Sequence, residues 1–180
     1  MCDEFNVLNV YPTFERRDVE MLAGDFAAAE QWLRAAEKKV RRLQHWWGLG
    51  FELQASIAVA LCAQGQYEEA ARLTAVLPAE VGDNAPAHVL WRRGRATALA
   101  RVGNSDQAIG LANEAVAIAE QTDNLNLRGD ALLDRAEVLR VRDNEDQAAS
   151  DVDAALALYE RKGNLVMAER ARRLAAPVAR

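Results

Sequence analysis

Cysteine, proline, histidine and aromatic residues are all scarce in this 180-residue chain, and each scarcity removes a class of protein. The two cysteines, Cys2 and Cys62, lie far apart, offer no disulfide framework and suit a reducing cytosol. With only four prolines and few β-branched runs, a sheet protein is not expected. His45 and His88 have no neighbouring Cys or His at metal-ligand spacing, so a structural or solvated role is expected for both. No apolar stretch approaches the roughly 18 residues needed to span a bilayer. The start, Met1-Cys2-Asp3-Glu4, lacks the basic region and apolar run of a secretory signal. A cytoplasmic, membrane-free protein is the expectation. A formal net charge of −5 sets the bulk field against nucleic acid and anionic lipid.

What is present is alanine, leucine and a repeat. Hydrophobic residues make up 51% of the chain and charged residues 27%, and alanine and leucine are strong helix formers. Five segments align: Gly24-Asp25-Phe26-Ala27-Ala28-Ala29, Gly65-Gln66-Tyr67-Glu68-Glu69-Ala70, Gly103-Asn104-Ser105-Asp106-Gln107-Ala108, Asp143-Asn144-Glu145-Asp146-Gln147-Ala148 and Gly163-Asn164-Leu165-Val166-Met167-Ala168. The first four starts are 41, 38 and 40 residues apart (65 − 24, 103 − 65, 143 − 103), a period that implies stacked two-helix units. The fifth follows after 20 (163 − 143) and opens a single capping helix.

Each segment reads as a turn between helices. Glycine, or once Asp143, takes the left-handed position that ends a helix, and Asp25, Gln66, Asn104, Asn144 or Asn164 caps the next. Glu69, Gln107 and Gln147 follow at capping-box spacing. Small residues recur on one face at Ala29, Ala70, Ala108 and Ala148, then at Ala36, Ala115 and Ala155, with Leu77 as the larger exception. In the preceding helices Ala58, Ala96 and Ala136 align, with Arg17 as the departure in the first unit. The pattern predicts helices over 11–23 and 25–42, 46–64 and 66–77, 85–102 and 105–121, 124–141 and 144–161, then 164–176. Residues 78–86, with Gly82-Asp83-Asn84 inside, read as a loop. The expected fold is all-α, one domain over 1–180. It is a right-handed α-solenoid of about four helix–turn–helix repeats (11–42, 46–77, 85–121, 124–161) plus a C-terminal capping helix.

This pattern resembles the tetratricopeptide repeat, which pairs a small residue in the first helix with Gly-x-Tyr-x-x-Ala at the turn; Gly65-Gln66-Tyr67-Glu68-Glu69-Ala70 fits it fully. The stretch from Asp123 to Arg140, with Ala154 to Asn164, resembles more particularly the C-terminal repeat region of large bacterial signalling proteins. Those proteins join a nucleotide cyclase or helix-turn-helix output domain to a signal-transduction ATPase and a repeat sensor. The sequence has no Gly-x-x-x-x-Gly-Lys-[Ser/Thr] phosphate loop. The resemblance therefore implies a piece, or a stand-alone version, of such a protein, without its enzymatic parts.

Chemistry-bearing groups are few. Cys62 sits in an alanine-rich helix and reads as a buried small hydrophobe. Trp46-Trp47 is either an aromatic platform or packing between units. Asp143, Glu145, Asp146, Asp151 and Asp153 lack the glycine and terminal glutamate of a calcium loop; the early acids suit a helix start and the later ones a solvated face. No catalytic residue, metal ligand or cofactor is nominated. By analogy with the repeat family, the first helix of each unit lines a concave face, and the candidate partner-binding residues are Glu52, Arg93, Thr97, Arg101, Asp130, Glu137 and Arg140, with Cys62 beside them. Arg93, Arg101 and Arg140 offer guanidinium forks for carboxylates or phosphates. The expected partner is a protein, a peptide or a neighbouring domain, with a small-molecule regulator as the alternative. Glu169, Arg170, Arg172 and Arg173 make the last helix polar on one side, and the less polar N-terminal unit is the candidate homodimer contact.

Overall fold

The computed structural model describes residues 11–41, 47–75 and 83–175. Cys2, His45, Trp46, Leu77 and the segment 1–10 lie outside them, as does the Trp47 side chain. Among the described residues the secondary structure is helical: α1 (Tyr11–Ala23), α2 (Phe26–Val40), α3 (Trp47–Ala63), α4 (Tyr67–Leu73), α5 (Ala85–Arg101), α6 (Ser105–Glu120), α7 (Leu125–Val141), α8 (Glu145–Lys162) and α9 (Leu165–Ala175). None of these helices is long and apolar enough to cross a membrane.

The five aligned turns share one backbone device. Gly24, Gly65, Gly103 and Gly163 have φ of 82°, 77°, 90° and 77°, and Asp143 takes φ 56° in the same place. The next residue then returns its N–H to the carbonyl five residues back: Asp25 to Glu20, Gln66 to Leu61, Asn104 to Leu99, Asn144 to Leu139 and Asn164 to Tyr159, at 2.8–3.0 Å. That 6→1 bond closes one helix, and the same residue stands at the start of the next. Asp25, Asn144 and Asn164 cap with their side-chain oxygens, accepting from the N–H of Ala28, Gln147 and Met167. Gln66 and Asn104 make no such bond. Asn104 was expected to cap; instead its Nδ2 donates to Gln107 Oε1 at 3.1 Å, and Asn144 makes the same contact with Gln147. The glutamine at box spacing thus holds the cap side chain, not the backbone.

One helix end differs from expectation. α4 stops at Leu73, not 77, because Thr74 Oγ1 bonds back to Ala70 O at 2.7 Å and Arg95 Nη1 donates to the carbonyls of Thr74 and Ala71 at 2.8 and 3.3 Å. A guanidinium from α5 takes the Ala71 carbonyl that a further turn of helix would have used, and Pro78, having no N–H, could not have bonded the Thr74 carbonyl.

Packing follows the small residues. Ala29, Ala70, Ala108, Ala148 and Ala168, each five residues past a turn, are all 0% exposed. Consecutive helices pack on one another, and α3, α5 and α7 also pack in a row. In that row a Cβ on Gly94 would meet Ala58 Cβ at 3.1 Å, so α3 and α5 approach closely only because Gly94 has none. Leu33, Leu53, Ile57 and Leu61 centre one core cluster; Leu132, Val152, Ala155 and Tyr159 belong to another. Side-chain hydrogen bonds recur one period apart. Arg17–Ser56, Arg34–Glu69, Arg93–Asp130, Arg101–Glu137, Arg142–Asp106 and Asn164–Asn126 span 35 to 39 residues.

Asp143 is the one described non-glycine residue with positive φ, a conformation that disfavours a Cβ. Asp143→Gly is expected to stabilise the chain by about 0.5–1 kcal/mol and Gly103→Ala to destabilise it by about 1 kcal/mol. Urea unfolding of both variants checks this, and a loss of stability on Asp143→Gly would count against the strain.

Candidate functional site

A groove of about 540 Å³ opens on the side of the odd-numbered helices. Arg17, Asp18, Met21 and Leu22 enter from α1, Glu52, Ser56 and Val59 from α3, and Pro86, Leu90 and Arg93 from α5. Asn126, Leu127 and Asp130 come from α7, Met167 and Arg170 from α9, and the capping residues Asn124 and Asn164 complete the lining. Helical spacing explains the set: 52, 56 and 59, or 86, 90 and 93, step along one stripe by three or four residues.

A charged network lies beneath the groove and reaches its lining at Arg93 and Asp130. Arg93 is 8% exposed, with Nε donating to Asp134 Oδ2 at 2.6 Å and Nη1 to Asp130 Oδ2 at 3.2 Å. The Tyr159 hydroxyl, from α8, donates to the other Asp130 oxygen at 2.6 Å. Tyr159 reaches it across Gly129, where a Cβ would lie 2.7 Å from the ring. Burial raises the Asp134 carboxyl above its usual range, Asp130 and Glu137 add to this, and Arg93 opposes it. Burial and the Asp130 charge raise the Tyr159 hydroxyl, which remains a donor at neutral pH. Truncating one member of such a network leaves an uncompensated charge in a low-dielectric site, which is strongly destabilising.

The sequence-nominated residues divide between this groove and the seams between neighbouring helices. Glu52, Arg93 and Asp130 line the groove. Arg93, however, is engaged by two aspartates and is not a free fork for a partner. Thr97 is buried. Arg101 bonds Glu137 at 2.8 Å and lies 5.7 Å from the Tyr67 ring centre, a contact between neighbouring units. Arg140 bonds Glu145 and the Leu174 carbonyl. Cys62 donates to Gly94 O at 3.3 Å, and burial with the nearby Asp134 and Glu137 charges pushes its thiol up to about 12, the reverse of an activated nucleophile. Asp151, expected on a solvated face, is instead buried and takes both oxygens to Arg135 at 2.7 Å. Among the described residues no group of three His, Cys, Asp or Glu converges to hold a metal.

Met21, Ser56, Leu90, Asn126 and Arg170 were missed. The nominations followed the stripe toward the helix C-termini, whereas α5, α7 and α9 line the groove from their first turns. Stepping back from Arg93 by three and seven residues reaches Leu90 and Pro86, so the signal was periodicity read in the opposite direction.

Glu52 is a partly buried carboxylate of the lining. Burial raises its pKa and Asp18 reinforces this; Arg17 and a hydrogen bond with the Asn84 side chain oppose it. A carboxyl whose folded pKa lies above its unfolded value binds its proton more tightly in the native state, so its contribution to stability falls as pH rises through the folded pKa. Glu52→Gln is therefore expected to raise Tm at pH 7 and to lose that gain as pH falls below about 4, where both states of wild type are protonated. A thermal melt at the two pH values decides it; a lower Tm for the variant at pH 7 would contradict this reading of the site.

Compared with protein-family models, curated proteins and solved structures, the chain matches none.

Proposed function

We propose that the chain is a right-handed α-solenoid of about four tetratricopeptide-like repeats closed by α9, and that it works as a non-catalytic protein-interaction or scaffold module. On the resemblance above, it would be the sensor or interaction part of a bacterial signalling or transcription-regulating protein. The observation that carries this reading is the groove, whose lining comes from the first helix of every unit and from the closing helix. One-period hydrogen bonds and fully buried turn alanines support the stacked arrangement. Such a surface offers a segment of partner chain contacts from several units at once, with apolar anchors at Leu22, Leu90 and Met167.

A second reading rests on the groove's size. A volume of about 540 Å³ lies within the range of small-molecule sites, roughly 300–1,000 Å³. A metabolite seated there would touch several units and alter the curvature of the stack.

Affinity capture from lysate of the source cells separates these readings. Leu22→Trp/Arg170→Glu alters two exposed groove positions, and Ser150→Trp alters an exposed position on α8 as the control. The interaction module predicts a protein retained by wild type and by Ser150→Trp and lost from the groove variant, all three equally helical by circular dichroism. Retention by the groove variant as well would remove the groove from the account. No specific protein, together with a metabolite that raises Tm, would favour the small-molecule reading.

A further inference from the structure

The charges on the groove wall separate into those engaged with one another and those that are not. Arg17 is held by Asp18 at 2.6 Å and by Ser56 Oγ at 2.8 Å. Arg93 and Asp130 belong to the network beneath the groove. Two lining charges of opposite sign form no ion pair among the described residues: Glu52 on α3 and Arg170 on α9. Glu52 is the unusual one: it is partly buried, and the cation nearest in influence, Arg17, is already held by Asp18 and Ser56, while Asp18 acts on it as a like charge. A desolvated carboxylate opening onto a cavity is poised for a charge-assisted hydrogen bond from a cationic group. Arg170, exposed on the far helix, offers a fork to an anion.

Resting on the interaction-module reading above, we propose that the groove takes an extended peptide segment of mixed charge, its lysine or arginine side chain seated against Glu52 and its aspartate or glutamate side chain against Arg170. α3, α5 and α7 pack in a row, and α9, which packs on α8, adds its lining beyond α7. At about 8–10 Å per step, an extended chain needs roughly five or six residues for the two steps from α3 to α7 and about two or three more to reach α9. Apolar lining at Val59, Leu90 and Leu127 receives side chains of the intervening residues. Because the two charges differ in sign, they fix the direction in which the segment runs.

Panning a random dodecapeptide phage library against the full chain tests this, with parallel selections on Glu52→Gln, Arg170→Glu and the exchange variant Glu52→Arg/Arg170→Glu. Wild type is expected to enrich sequences with a basic and an acidic residue about seven to nine apart, in one order. Glu52→Gln is close to isosteric; it should lose the basic preference alone. The exchange variant should reverse the order. A synthetic peptide of the enriched sequence, followed by fluorescence anisotropy, should bind wild type about tenfold more tightly than its neutral isostere, with a norleucine or citrulline in place of the basic residue. Peptides that bind, are blocked by Leu22→Trp, and yet show no charge order or are selected equally by Glu52→Gln overturn the proposal and leave the groove reading standing. Failure of wild type, with its helicity verified, to select any peptide overturns both.

Discussion

Everything in this chain depends on one local constraint repeated five times: a residue in left-handed conformation, a 6→1 hydrogen bond across it, and an alanine five residues later with no exposed surface. The left-handed residue reverses the chain within two positions. The alanine lets the returning helix lie close to the one just left. Neither works alone, since a sharp turn into a bulky side chain would force the helices apart and expose the core. Even Asp143, whose Cβ disfavours the required φ, is held to the pattern by its neighbours.

From that constraint follows the alternation of roles along the chain. α3, α5 and α7 pack in a row, so their outer stripes form a continuous wall. Even-numbered helices buttress this row, and one of them, α8, sends the buried Tyr159 to Asp130 beneath the groove. Arg93, Asp130, Asp134 and Tyr159 join three helices through hydrogen bonds of 2.6–3.2 Å, which fixes the relative position of α5 and α7 beneath the groove. Removing one partner from such a network strands a buried charge, so the packing of the three helices is tied to its completeness. Glu52 stands in contrast: it is a partly buried carboxylate on the same wall that forms no ion pair among the described residues, and burial raises its pKa against the opposing pull of Arg17.

The sequence made the helices legible because their punctuation is chemical. Glycine or aspartate followed by a capping residue names each turn, and every helix start lies within a residue of its expected place. Less legible was whatever depended on side chains from another unit. The end of α4 is set by Arg95, which lies on the following helix. Arg93 and Asp151 look like surface charges in a one-dimensional pattern, and only their neighbours at Asp134 and Arg135 reveal them as buried. Glu52 was found and Arg170 was not, because the groove's register becomes visible only when the stripes of several helices are laid side by side. Periodicity identifies a face; it does not say at which end of that face the groove opens.

The most direct test of the account is amide hydrogen exchange of the full chain, alone and saturated with a peptide or partner that it retains. If the odd helices form the working surface, exchange slows on binding along 17–22, 52–59, 86–93, 126–130 and 164–170. The outer faces of α2, α6 and α8 would then stay unchanged. Protection confined to those even-numbered helices would contradict the central claim and move the interaction surface to the opposite side of the molecule.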